Sequence, residues 1–402
     1  MLTMNYRLPA SRMRDAMKGG GIREILNKAS ALERAGKRII HLEIGRPDYD
    51  SPFCAKEAAK KALDEGRVHY TDTAGTLELR RAIADAIGRD TGMDIDPERE
   101  IVVTTGAVEA LAATFFAFLD PMDEVIAPTP FFAAYADQIA VAGGVLREVP
   151  CRFENGFRLD PKDIEAAVTK KTRLLLINTP NNPTGAALSR DELSDIASIA
   201  LKHDIIVVSD ECYEKFMYDR SSVSIASLPG MRERTITISS ASKTFSMTGW
   251  RVGWIFAPAP AKPYLAKAHQ NLTSCATSFA QSGVAEAFRS ASDDVKRMID
   301  GYRARRDAIV GRLANIDGFE VNRPEGAFYV FPRVERLTLR FGMSAPELSS
   351  WLLDEAGVAT VPGEAFHAQG NFLRMAYCRS LDEIHEGLDK IEAAVKKRTG
   401  TR

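Results

Sequence analysis

Short apolar runs rich in β-branched residues alternate with longer amphipathic segments through the middle of the chain. EIVVTTG (100–106) reads as a strand and a turn, and AVEALAATFFAFL (107–119) follows as a helix. DEVIAPTP (123–130), RLLLINTP (173–180), IIVVSDE (205–211) and RTITISS (234–240) are further strand-like runs. SRDELSDIASIALKHD (189–204) has helical periodicity, with Ser189 as N-cap and Glu192 three residues on, the spacing of a capping box. Strands separated by helices predict βαβ units and a mostly parallel sheet. Beyond about residue 285 the pattern changes. Charged helical segments such as 292–316 take over, broken by GAFYVFPRV (326–334) and NFLRMAYC (371–378), which read as strands of a smaller sheet. The expected architecture is α/β: a large domain over 50–285 with its sheet between helices, and a smaller α+β domain built from 1–49 and 286–402.

An apolar content of 45% is enough for a large core, and 53 basic against 54 acidic side chains leave a net charge of −1. That balance gives no support for nucleic acid or an anionic membrane as a partner. Cys54, Cys151, Cys212, Cys275 and Cys378 form no CxxC pair and are odd in number, which fits a reduced, cytoplasmic setting. The first 21 residues carry charges throughout and no apolar core of signal-peptide length, no run is long and apolar enough for a membrane helix, and no metal site is expected.

Ligands of parallel sheets sit beyond the C-terminal strand ends, so the polar residues there are the chemistry to weigh. After the first strand comes Gly106-Ala107-Val108, a turn into a helix, where free N–H groups and the helix dipole attract anions. After the third comes PNNPTG (180–185) with Asn182, after the fourth Asp210, and after the fifth Ser239, Ser240, Ser242 and Lys243. Lys243, alone among small residues, reads either as a surface lysine or as a desolvated amine able to form a Schiff base. Asp210 reads as a helix N-cap or as the carboxylate that keeps a pyridine nitrogen protonated. Arg374, in the apolar run FLRMAY, reads as half of an internal ion pair or as a clamp for a substrate carboxylate. Ser240 and Arg251 add donors suited to phosphate. No GxGxxG, Walker A or GxSxG motif is present. Anion nest, amine, ring-nitrogen carboxylate and second arginine together describe a pyridoxal phosphate enzyme that acts on amino acids.

PNNPTG, SDECYE (209–214) and SASK…TGWRVGW (240–254), in that order, resemble the class I/II, fold-type I pyridoxal phosphate aminotransferases, specifically their prokaryotic aspartate-aminotransferase-like branch. The resemblance extends from IIHLEIGRPDYD (39–50) to FLRMAYC. It implies a seven-stranded, mostly parallel sheet and pyridoxal 5'-phosphate bound as a Schiff base to Lys243, which also shuttles a proton. It further implies Asp210 on the ring nitrogen and Tyr213 and Asn182 on the 3′-oxygen. Phosphate would be held by Ser240, Arg251 and the backbone of Gly106, Ala107 and Val108, with Phe132 stacked on the ring. Arg374, the Asn182 amide and Gly45 would hold the substrate α-carboxylate. Tyr70 would reach the neighbouring subunit's phosphate, which implies a homodimer with shared active sites. Two devices used by aspartate-specific members are missing: a lysine where Val108 stands, and an arginine in 268–281. Arg46 could substitute, but the expectation is a neutral, aromatic or aliphatic amino donor, with a 2-oxo acid acceptor and ping-pong transfer. The alternatives are other pyridoxal phosphate reactions on this scaffold, namely a C–S lyase, decarboxylase or synthase. A pyridoxal-binding transcription regulator would need a DNA-binding domain ahead of this one, and the cofactor domain is expected to begin within 40 residues of the start.

Overall fold

The structure is a computed structural model and describes residues 22–400, so the reading of the first 21 residues falls outside it. Its largest sheet has seven strands: β1 (Ile101–Thr104), β2 (Glu124–Thr129), β3 (Val145–Pro150), β4 (Thr172–Asn178), β5 (Ile206–Asp210), β6 (Thr235–Ser240) and β7 (Gly253–Phe256). They lie in the order β1-β7-β6-β5-β4-β2-β3. The neighbours from β6 to β3 are parallel, and β7 alone runs against both of its neighbours.

Alternate residues of each strand enter opposite cores, as the pleat requires. Val102, Val125, Leu174, Leu176, Val208 and Ile238 pack beneath helices Ala107–Phe118 and Ala134–Val141. Ile126, Leu175, Ile177 and Val207 face helix Arg190–His203, while Ile101, Val103, Trp254 and Phe256 face helices Leu77–Thr91 and Ser278–Ser290. With both faces covered, the strands are apolar throughout, which made five of them visible as hydrophobic runs. The capping box at Ser189 and Glu192 forms as expected.

Two strands of this sheet were not anticipated. β3 is one of its two edge strands and carries exposed Arg147 and Glu148, so it lacks a continuous apolar run. β7 is only four residues long and follows the turn containing Arg251.

The C-terminal region forms a three-stranded antiparallel sheet from β8 (Tyr329–Val330), β9 (Val361–Pro362) and β10 (Leu373–Ala376), in the order β9-β10-β8. Ile40–His41 pairs in parallel with Val358–Ala359, which brings the N-terminal segment to the C-terminal one. The changeover near residue 285 falls inside helix Ser278–Ser290, whose Ala280, Val284 and Ala287 pack with Ala55, Leu79 and Ile83. A further core joins Ile40, Leu42, Tyr302, Ile309 and Leu388 to Tyr213 and Phe216, from the segment after β5. This core reaches the C-terminal rim of the large sheet, and the site lies at that junction.

Candidate active site

Three parallel strands, β4, β5 and β6, end on this rim, and β1 ends there too because it opposes β7 as β6 does. β6 runs directly into the short helix Ala241–Thr244, which sets Lys243 at the rim. Its Nζ donates to the Gly45 carbonyl at 2.7 Å and lies 5.6 Å from the centre of the Phe328 ring. No carboxylate pairs with it among the described residues. Burial holds its pKa below the ordinary lysine value, against smaller opposing effects of Cys378 and Cys212.

Asp210 ends β5 and is 6% exposed. Its Oδ1 accepts from the Cys212 N–H at 3.1 Å, but a turn follows the strand, so the helix that an N-cap would need is not there. Its Oδ2 accepts from the Tyr135 hydroxyl at 2.6 Å. A buried carboxylate with only neutral donors is costly. Burial accordingly raises its pKa, and the Tyr135 hydrogen bond works the other way. Asn178, at the end of β4, donates to the Asp210 carbonyl at 3.0 Å and accepts from the Asn182 N–H at 2.8 Å, so one amide aligns both strand ends.

Arg374 lies in β10, is 3% exposed, and is sandwiched between the rings of Tyr329 and Phe366, each 4.7 Å from the guanidinium carbon. It donates to Asn182 Oδ1 at 3.2 Å and to the Glu43 carbonyl, while its Nε has no partner. The internal ion pair is not present: no carboxylate meets Arg374 among the described residues. Tyr213 is buried, and its hydroxyl lies 2.8 Å from that of Tyr329.

Gly106 begins helix Ala107–Phe118 with φ at 84°. A Cβ there would come within 2.3 Å of Arg251 Nη2, so glycine lets the guanidinium lie against the helix start. Arg251 donates to the Thr248 carbonyl at 3.0 Å and the Thr105 carbonyl at 3.4 Å, and is exposed with no carboxylate partner among the described residues. Ser240 is buried, with its Oγ 3.8 Å from Cys212 Sγ. Phe132 is half-buried and meets Tyr135 edge-on, with ring centres 5.6 Å apart.

These residues fit pyridoxal phosphate. An arginine against a helix start suits the phosphate, a buried carboxylate without a cation suits a protonated ring nitrogen, and an amine of lowered pKa lies between the two in sequence. Val108 is 43% exposed, and Arg46 is exposed next to Gly45. Tyr70 is 89% exposed and makes no polar or ring contact among the described residues.

Three contributors were not singled out from the sequence. Tyr135 lies three residues after Phe132 in the same TPFFAAY run, one helical turn away, and that spacing is its only signal. Tyr329 lies in a run read only as a strand. Glu109 accepts from the Thr105 N–H at 3.0 Å, has both oxygens 3.0 Å from His269 Nδ1, and so pins the turn before the helix.

The family model described as aminotransferase class I and II matches residues 37–391. Aromatic-amino-acid aminotransferase 2 of Thermococcus litoralis is 41% identical over 381 residues, 94% of this chain and 96% of that protein. An aspartate aminotransferase of Pyrococcus abyssi is 40% identical over 388 residues, 96% of this chain and 97% of that one. The structure of aspartate aminotransferase from Thermus thermophilus with maleate superposes with a TM-score of 0.91 at 36% identity, covering 96% of this chain and 100% of the other.

Proposed function

The chain belongs to the class I and II aminotransferase family and is a pyridoxal-phosphate-dependent transaminase; on that premise we propose which residues carry the reaction and which donors they admit. When bound, pyridoxal phosphate withdraws electrons from the donor's α-carbon. Lys243 Nζ would hold the cofactor, and as a neutral amine it would move the proton at the substrate α-carbon. Its lowered pKa favours the neutral amine this requires. Asp210, held by Tyr135, keeps a proton on the ring nitrogen. Tyr213 and the Asn182 amide hold the 3′-oxygen. Ser240, Arg251 and the backbone of Gly106, Ala107 and Val108 hold the phosphate, and Phe132 covers the ring. Arg374, with Asn182 and Gly45, binds the substrate α-carboxylate through its planar fork. The amino group passes from donor to 2-oxo acid in two half-reactions at this one site, a ping-pong scheme.

One observation carries this reading. Lys243, half-buried, and Arg374, buried, neither paired with a carboxylate among the described residues, are both anchored on the backbone of 43–45, through the carbonyls of Gly45 and Glu43. That strip sets an amine beside a carboxylate clamp, the minimum needed to handle an amino acid.

The donor is neutral, aromatic or aliphatic. Val108 offers no charge to a second carboxylate, and 268–281 contains no arginine. Tyr70, exposed on the single chain, completes the phosphate site of a partner subunit in a cytoplasmic homodimer. Among the described residues no helix is long and apolar enough to cross a membrane. Of the described residues, we assign 50–285 to a large domain and 22–49 with 286–400 to a small one, the second changeover falling within helix Ser278–Ser290.

Absorption spectra of the protein, taken while amino acids are added one at a time, test this reading, with Lys243→Ala alongside. The cofactor band is expected to convert with neutral or aromatic donors and to be altered in the variant. A higher kcat/KM for aspartate than for these donors would overturn the donor assignment, and release of ammonia, carbon dioxide or thiol would overturn transamination.

A further inference from the structure

Tyr329 lies where three parts of the site meet. Its hydroxyl is 2.8 Å from that of Tyr213, and its ring lies under Arg374 with the guanidinium carbon 4.7 Å from the ring centre. Its hydroxyl also occupies the space beside Gly45: a Cβ on that residue would fall 1.9 Å from it. Gly45 in turn holds Lys243. Tyr329 is 2% exposed and Tyr213 is 5% exposed, so water does not replace either hydroxyl's partner.

A phenol has one proton to donate and can accept as well. If Tyr213 gives its proton to the cofactor's 3′-oxygen, it cannot also give it to Tyr329. The 2.8 Å contact must then run the other way, with Tyr329 as donor and the Tyr213 oxygen as acceptor. Accepting a hydrogen bond strengthens a hydroxyl as a donor. The charged or titratable groups acting on the two phenols are Arg374, Cys212 and Cys378, and only the first is a permanent charge.

We propose that Tyr329 is a positioning residue that aims the Tyr213 proton at the cofactor through its hydroxyl and holds the Arg374 guanidinium flat through its ring. The proposal rests on the reading of Tyr213 and Arg374 given above. One side chain thereby ties the electronic state of the cofactor to the geometry of the carboxylate clamp, through chemically separable halves.

The test uses the cofactor-loaded protein and two readouts that do not require turnover. The first is the pH midpoint of the bound cofactor's absorption change. The second is the dissociation constant of propionate, a carboxylate that cannot react, followed by absorption. Tyr329→Phe deletes only the hydroxyl. Its midpoint is expected to rise by about half a pH unit, because a weaker Tyr213 donor leaves the 3′-oxygen more basic. Its propionate constant should stay within about twofold, since the ring remains. Tyr329→Leu should show the same rise and bind propionate about fivefold more weakly, because the stacked face is gone. Gly45→Ala, which pushes the Tyr329 hydroxyl aside while keeping both tyrosines, should also raise the midpoint and serves if the Tyr329 variants fold poorly. Tyr213→Phe is the control and should move the midpoint furthest. If Tyr213→Phe moves it and neither Tyr329→Phe nor Gly45→Ala does, the proposal is overturned. A lower melting temperature with an unmoved midpoint overturns it too, since that is a structural role alone. If Tyr213→Phe itself leaves the midpoint unchanged, the reading of Tyr213 falls, and the proposal with it.

Discussion

Arg306 and Arg374 are both buried guanidinium groups laid on a tyrosine ring, each 4.7 Å from the ring centre, of Tyr218 and Tyr329 respectively. Arg306, on helix Ser292–Leu313, meets Asp219 through two nitrogens at 2.6 and 3.2 Å and Asp307 at 2.9 Å. Arg374 meets amide and carbonyl oxygens and no carboxylate among the described residues. Burial of a guanidinium is costly unless an anion accompanies it. Around Arg306 the fold supplies the anion, and the group holds elements together. Around Arg374 the fold supplies none among the described residues, which is what the proposed carboxylate clamp requires. The same contrast separates Lys215, paired with Asp90, from Lys243, paired with a backbone carbonyl. In these two pairs the matched charge joins elements of the fold, and the unmatched one lies at the candidate site.

The sharpest way to break this contrast is to remove Lys243. Lys243→Ala should lower kcat by about 10³-fold or more, because the group proposed to move the α-proton is gone. Its melting temperature without cofactor should not fall, since an unmatched, half-buried cation has been deleted. A variant that kept most of its activity would end the assignment.

Arg374→Ala should lower kcat/KM by about 10²-fold or more for every amino acid tried, with little loss of stability. Arg306→Ala should do the reverse. We expect a loss of about 2 kcal/mol in urea unfolding, less than for a fully buried pair because Asp219 is 56% exposed, and a kcat/KM per folded molecule within about twofold of wild type. If the two arginines gave the same pattern, the distinction between matched and unmatched charge would have no content.

The two regions should also respond oppositely to pH. Asp219 is held below the usual carboxylate range by its hydrogen bond to Arg306, so its contribution is present near neutrality and lost as pH falls through its folded pKa. Glu211, next to Asp210, is buried, and its Oε1 accepts from the Ser209 and Ser224 hydroxyls at 2.8 Å each. Burial raises its pKa from 4.5 to about 8. Between those values the folded chain keeps a proton that the unfolded chain has released, so stability falls as pH rises, by up to roughly 1.4 kcal/mol per pH unit, and levels off above. Urea midpoints at pH 5 and pH 8 should show Glu211→Gln losing less stability over that interval than wild type. An identical slope in both proteins would remove Glu211 from this account.

Much of this contrast was legible in the sequence on the ligand side and little of it on the structural side. Asp210 and Arg374 stand out because each meets an apolar run, where an ionisable group needs a reason, and Lys243 because it is the lone charge among small residues at a strand end. PNNPTG stands out because its composition suits nothing but a loop. Arg306 is invisible by the same logic, because it sits among other charges in a long helix and only the fold reveals that its side of the helix is buried. β3 was hidden by its edge position, and β7 by its brevity. Tyr135 and Tyr329 were hidden for another reason. An aromatic residue in an apolar segment reads as packing, and only a partner from a distant segment turns its hydroxyl into part of a site. Asp210 and Tyr135 are 75 residues apart, and Tyr213 and Tyr329 are 116 apart.

Gly253 has a place of its own in this arrangement. It opens β7, pairs with Thr104 of β1 on one side and Ser240 of β6 on the other, and a Cβ on it would press within 2.6 Å of the Gly106 carbonyl carbon. The helix start proposed for the phosphate and the strand that leads to Lys243 are therefore spaced by the width of one interposed strand. Strand separation is among the least adjustable lengths in a protein, about 4.8 Å between neighbours. The sheet thus works as a gauge. A molecule that must touch the lysine at one end and the helix start at the other is selected by its length before any of its individual groups are recognised.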